Sequence, residues 1–180
     1  MTIVEFADVF TRPVYKDMII DRLRYCQKEK GLIVFAYAIM SNHIHLIVRT
    51  DRKTGLSPIL QSFKSFTANQ ILKYLKDKKQ PESRRERLLD TFAFHARKNK
   101  THSQYQVWQR DNHPIELYSP KVIRQKLDYI HLNPCVAKIV SEPEHYLYSS
   151  ASNYKDGTGV LEVTLLEDIF GSDIGYVYMG

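Results

Sequence analysis

The sequence predicts one α+β domain: an antiparallel sheet with helices on one face and a further helix late in the chain. Three observations carry this reading. The chain has 180 residues, 43% hydrophobic and 26% charged, which suits one good core. Runs rich in β-branched and aromatic residues alternate with stretches whose apolar residues recur every three or four positions. Pro, Gly and Ser stand at the joints between them.

Each element can be placed in turn. "TIVEFADVF", residues 2–10, reads as a short first strand. "TRPVYKDMIIDRLRYCQKEKG" reads as a helix with Tyr15, Ile19, Leu23 and Cys26 on one face and Gly31 as its stop. "LIVFAYAIM" and "HIHLIVRT" read as two strands of a hairpin broken by "SNH". "LSPILQSFKSFTANQILKYLKDKK" reads as a helix capped by Ser57, with Pro58 in the first turn and Leu60, Phe63, Thr67, Ile71 and Tyr74 along one face. A short helix around "ESRRERLLDTFAF" precedes a loop, "ARKNKTHS", and "YQVWQRDNHPIEL" reads as a strand. "YSPKVIRQKLDYIHLNP" is the last clear helix, with Ser119 as cap, Pro120 as first residue and Pro134 at its end or at a kink. The tail from about residue 141 reads as loop with short elements. Apart from that short helix, the first six elements give the order βαββαβ, the ferredoxin-like pattern.

Composition narrows the function. No stretch is apolar enough to span a bilayer, and the N-terminus lacks the basic and apolar regions of a signal peptide. Cys26 and Cys135 form neither a disulfide framework nor a zinc spacing, so a reducing cytoplasm is the expected location. Residues 73–100 hold ten Lys/Arg against four Asp/Glu, an excess equal to the whole chain's +6. A basic insert at about 77–104 in a single domain spanning 1–180 is expected, either as a polyanion-binding patch or as a solvated face.

"SNHIHLIV" places His43 and His45 two apart in a strand-like run. Alternate side chains share a face, so the two imidazoles leave together while Ile44 and Leu46 face the other way. Such a pair can share one metal ion; a single core histidine ordinarily just finds a hydrogen bond. On the last helix Tyr129 and Asn133 are four apart, hence on one face. Asn133 offers a carbonyl oxygen to a hard cation and Tyr129 a hydroxyl as nucleophile; packing with an end cap is the plainer reading. Trp108 reads as core or as a base-stacking platform, and His113 as structural. Tyr118 lacks an amide residue four positions on; Tyr105 has Gln109 there, but in a strand-like run where the two do not stack on one helical face.

"MSNHIHLIV" with "YIHLNP" resembles the single-tyrosine HUH transposases (the IS200-like family), in which U is a bulky apolar residue, here Ile44. "VFTRPVYKDMIIDRLRYCQKEKG", "QSFKSFTAN", "YQVWQRDNHPIEL" and "EHYLYSSASNY" resemble its REP-associated tyrosine transposase branch, so the likeness covers nearly the whole chain. The resemblance implies a ferredoxin-like fold, single-stranded or hairpin DNA as partner, and a divalent ion, Mg or Mn. Imidazole ligands by themselves favour zinc, nickel or similar ions, in tension with that implication. By resemblance His43, His45 and Asn133 are the metal ligands and Tyr129 the nucleophile. Lys64, Arg110, Arg124 and Lys126 are expected DNA contacts.

The implied activity is a metal-dependent single-stranded DNA endonuclease and strand transferase with a 5′-phosphotyrosine intermediate. A nucleic-acid-binding module without catalysis and a phosphodiesterase using water are the alternatives. A homodimer, with sites built in cis or in trans, is compatible with the resemblance. Relatives carry a longer first strand than the few residues before Ala7, so the sheet is expected to lack part of a strand, at a cost to activity.

Overall fold

The computed structural model describes residues 1–100, 103–110, 114–166 and 176–180. It is an α+β fold built on one antiparallel sheet. Helix α1 (Pro13–Lys30) opens on a proline and ends at Gly31, whose φ of 68° suits a residue without a side chain. Strands β1 (Leu32–Ile39) and β2 (Ile44–Thr50) form the expected hairpin. Helix α2 (Leu56–Lys76) buries Leu60, Phe63, Thr67 and Ile71 as predicted, but Gly55 rather than Ser57 precedes it, because Leu56 already lies in the first turn. Helix α3 (Arg85–Lys98) runs further than expected, through Arg97 and Lys98.

Strand β3 (Ile115–Leu117), helix α4 (Pro120–Val136), helix α5 (Ala151–Lys155) and strand β4 (Tyr176–Met179) complete the chain. Helix α4 continues two residues past Pro134, so that proline neither ends the helix where expected nor breaks it. The sheet order is β1-β2-β4-β3.

The sheet is covered on both faces. Val34, Tyr37, Ile39, Ile44, Leu46, Val48 and Met179 meet α1 and α2 in the main core. Phe35, Ala36, Ala38, Ile47, Tyr176 and Tyr178 meet Ile123, Leu127 and Ile130 of α4 on the other face. A β-bulge between Val34 and Ala36 breaks the alternation of β1 and turns Phe35 and Ala36 to the same side. The small side chains of Ala36 and Ala38 let α4 lie close to the sheet, which matters for what that helix carries.

Three expectations need correction. Residues 2–10 are not a strand. Thr2 bridges His43 and Ile3 bridges Trp108, and the backbone then turns through Glu5 and Phe6, both left-handed at φ 52° and 50°. A strand cannot continue through such residues. The stretch expected as a strand from Tyr105 is reduced to that bridge at Trp108, because its partner ends at Ile3; the true strand begins only at Ile115. The tail supplies β4, which pairs with β2 at Leu46–Val48. Met1 to Ile3 border the other end of the same β2 edge, where Ile44 N–H donates to Met1 O at 2.8 Å. Two segments far apart in sequence thus share the place of one longer strand. His113 lies outside the described residues.

The basic block is largely ordered. Buried Glu82 accepts hydrogen bonds from Arg84 Nε (2.9 Å) and from the Tyr15 hydroxyl (2.9 Å), and Arg85 donates to the carbonyls of Asp77 and Gln80. The guanidinium of Arg84, ahead of Tyr15, holds the Glu82 carboxyl down at about 2.

On α4, His131 is turned toward the edge of β1. Its Nε2 lies 2.8 Å from Ser150 Oγ, which also accepts from the Tyr37 N–H at 3.0 Å. Burial pushes this imidazole down to about 4. Below an unfolded value near 6.5 the unfolded chain takes up a proton that the folded one refuses. Stability is therefore full above about pH 6.5 and falls as pH drops toward 4. Urea unfolding of wild type and His131→Gln between pH 7.5 and 4.5 should show this slope reduced in the variant by up to about 1.4 kcal/mol per pH unit.

Candidate active site

Alternation along β2 decides which side chains face α4. Ile44, Leu46 and Val48 point into the α1/α2 core, and His45 and Ile47 point the other way, as the sequence predicted. His43, in the turn just before β2, joins His45 on that side. Their Nε2 atoms lie 2.9 Å apart and the rings meet edge to face, with centroids 4.6 Å apart.

Each imidazole has a partner for its other nitrogen. His43 Nδ1 lies 2.7 Å from Asn42 Oδ1, and Asn42 Nδ2 donates to Asp8 Oδ1 at 3.1 Å. His45 Nδ1 lies 2.9 Å from the hydroxyl of Tyr178 on β4. Burial, then the neighbouring charge of His43, pushes His45 down to about 3; burial also lowers His43. Both rings are neutral at ordinary pH, so each has a lone pair to offer.

Tyr129 comes next to the imidazoles. Its ring stands edge-on to His45, with centroids 5.4 Å apart, while the residue remains 50% exposed. Ile123, Leu127 and Ile130 hold α4 on the sheet and so fix this approach. Lys126, one turn earlier, places its Nζ 4.5 Å from the Tyr178 ring centroid and 5.6 Å from that of Tyr129. It therefore belongs to the same cluster of side chains.

Asn133 is one turn beyond Tyr129 but is not turned to the imidazoles. Its Nδ2 donates to the Tyr129 carbonyl at 2.7 Å, within its own helix. Among the described residues no group of three or more His, Cys, Asp or Glu gathers as a metal cage. The two Nε2 atoms nonetheless fit a shared cation: bonds of about 2.0–2.1 Å to one ion can span their separation.

The remaining expected contacts divide. Lys64 and Arg110 come together, for Lys64 Nζ donates to the Gln109 carbonyl at 2.6 Å. They line an open groove of about 940 Å³ with Leu60, Gln61, Glu116 and Met179. That groove opens on the α1/α2 side of β4, not on the imidazole side. Arg124 is exposed on α4. Trp108 is core: it is 5% exposed and donates from Nε1 to Thr67 Oγ1 at 3.0 Å. Sequence reasoning missed Tyr178, Asn42 and Asp8. The alternating "YVYM" of 176–179 is the signal for the first; nothing local marks the other two.

The sheet thus presents paired imidazoles to a tyrosine on a packed helix. A family model described as transposase IS200 like matches residues 6–110, more than half of the chain. The chain belongs to the IS200-like transposase family. The matched residues include His43, His45, Lys64 and Arg110 and stop short of Tyr129 and Asn133. No curated protein and no solved structure matches the chain. Among the described residues no helix is long and apolar enough to cross a membrane.

Proposed function

We propose that the protein is a single-stranded DNA endonuclease and strand transferase that uses Tyr129 as its nucleophile, and that it belongs to the REP-associated branch of its family. The observation that carries this reading is the placement of Tyr129 edge-on to His45 within one chain. A site so built works in cis and needs no second copy.

His43 and His45 would hold a divalent cation through their Nε2 atoms. Asn133 would complete the set after its amide releases the Tyr129 carbonyl. The bound ion supplies Lewis-acid charge at a phosphate's non-bridging oxygens. The residues do the rest. The Tyr129 oxygen forms a bond to phosphorus as the bond from phosphorus to the 3′-oxygen breaks. The phenol's proton ends on that 3′-oxygen, leaving a 5′-phosphotyrosine and a free 3′-OH. The same 3′-OH, or one from another strand, reverses the step, and the strand is rejoined without hydrolysis. A phenol suits both directions because it is a stronger acid than an alcohol, so a phenolate leaves more readily than an alkoxide. Lys126 adds positive charge beside the reacting group, and Arg124 on the same helix faces solvent where a strand would approach.

Hairpin-bearing single-stranded oligonucleotides with Mn²⁺ test the reading. A covalent protein–DNA band that forms with Mn²⁺ and vanishes with EDTA is the expected result. Cleavage without a covalent band would move the chemistry to water. Salt-sensitive binding without any cleavage would leave a binding module.

A further inference from the structure

The hydrogen bonds around the two histidines are not equivalent. Asp8 accepts from Asn42 Nδ2, so the amide must turn its oxygen toward His43. An amide oxygen only accepts. His43 therefore carries its hydrogen on Nδ1, and its Nε2 is bare.

His45 follows from that. Two ring nitrogens 2.9 Å apart need one hydrogen between them, and His43 Nε2 has none to give. The hydrogen is on His45 Nε2, and His45 Nδ1 accepts from the Tyr178 hydroxyl. In this arrangement the lone pair of His45 points away from His43 and is useless for a shared cation. To ligate, the N–H bond at Nε2 must break and one at Nδ1 must form, freeing the electron pair at Nε2. Charge does not change. The group facing Nδ1 must then accept where it had donated. A hydroxyl can do both, whereas a carbonyl or a carboxylate can do only one.

We infer that Tyr178 is the positioning residue of His45: its hydroxyl donates to Nδ1 in the ion-free site and accepts from Nδ1–H in the loaded one, so the site changes tautomer without losing a hydrogen bond. The inference rests on the proposed role of His43 and His45 as ligands. Tyr178 is not a second nucleophile, because its oxygen meets Nδ1 and not the Nε2 edge shared with His43. The ring is kept in place by stacking on His45 at 6.0 Å and by Lys126 above it. Strand β4 brings it there by pairing with β2 at Ile47↔Tyr178.

Titration calorimetry with Mn²⁺ alone, together with ¹⁵N spectra of histidine-labelled protein, tests the inference. Tyr178→Phe keeps the ring and loses the hydroxyl. It should bind Mn²⁺ about 10–100-fold more weakly. Its ion-free spectrum should keep the Nε2–H signature of His45 that wild type shows, because the bare His43 Nε2 still fixes that hydrogen. Tyr176→Phe, on the same face of β4 but packed against Phe35, should bind as wild type does and so exclude a general loosening of the strand. If wild type binds Mn²⁺ and Tyr178→Phe binds it equally well, or if the ion-free wild type carries the His45 hydrogen on Nδ1, the inference is wrong and the proposed function stands. If wild type binds no Mn²⁺, the ligand roles of His43 and His45 fall, and this inference with them.

Discussion

Tyr129→Phe should abolish the covalent protein–DNA adduct and lower strand cleavage by at least about 1,000-fold, with the fold unchanged. The reasoning is local. The ring of Tyr129 is half-exposed and touches His45 edge-on, and Phe reproduces that contact. Only the oxygen that would bond to phosphorus is lost, and the neighbouring Tyr178 oxygen is engaged with His45 Nδ1. A thousandfold loss corresponds to about 4 kcal/mol of transition-state stabilisation. Circular dichroism should be superimposable on wild type and Mn²⁺ affinity unchanged, since the phenol is not a ligand. Cleavage persisting within about tenfold of wild type would assign the attack to another nucleophile.

Trp108→Ala should cost about 3–5 kcal/mol of folding stability. Trp108 packs against Phe10 and Phe63, with ring centroids 5.8 and 6.3 Å away. Its Nε1–H satisfies Thr67 Oγ1, which in turn donates to the Phe63 carbonyl at 2.8 Å. Truncation leaves a void bounded by α2 and the N-terminal segment. Thermal unfolding should fall by roughly 8–15 °C for a chain of this size. Trp108→Phe fills most of the space and loses one hydrogen bond, so its cost should be about half as large. An effect of Trp108→Ala confined to DNA affinity, without loss of stability, would restore the reading of Trp108 as a stacking platform.

That tryptophan shows what the sequence could and could not convey. The run around it alternates and contains β-branched and aromatic residues, so it reads as a strand. Strands, however, need partners. Among the described residues its strand neighbour is the N-terminal segment, which turns away at Glu5 and Phe6, so the run joins at one bridge. Nothing near Trp108 in sequence could reveal this. By contrast α1, α2 and α4 were legible because their signals are local: Pro13 and Pro120 at the starts, Gly31 at a stop, and apolar stripes at helical spacing.

The candidate site divides along the same line. His43 and His45 could be assigned to one face from a two-residue period alone, and Tyr129 and Asn133 from a four-residue one. What could not be read is everything that crosses the fold. Asp8 reaches Asn42, and Tyr178 reaches His45, through contacts far apart in sequence. The orientation of Asn133 also escaped a spacing argument, because its amide found a nearer acceptor on its own helix. Strand β4 was missed because four residues carry little propensity; it exists because Leu46–Val48 offered it an unpaired edge.

The partner of His45 stands 133 positions downstream of it. A ribosome adding roughly 5–20 residues per second delivers Tyr178 about 7–27 s after His45. Through that interval the nascent polypeptide displays the histidine pair with one wall missing and Leu46–Val48 bare for pairing with a stranger. His45 therefore gains the hydroxyl that faces its Nδ1 only once β4 has been synthesised, and folding of the sheet edge waits on the same segment.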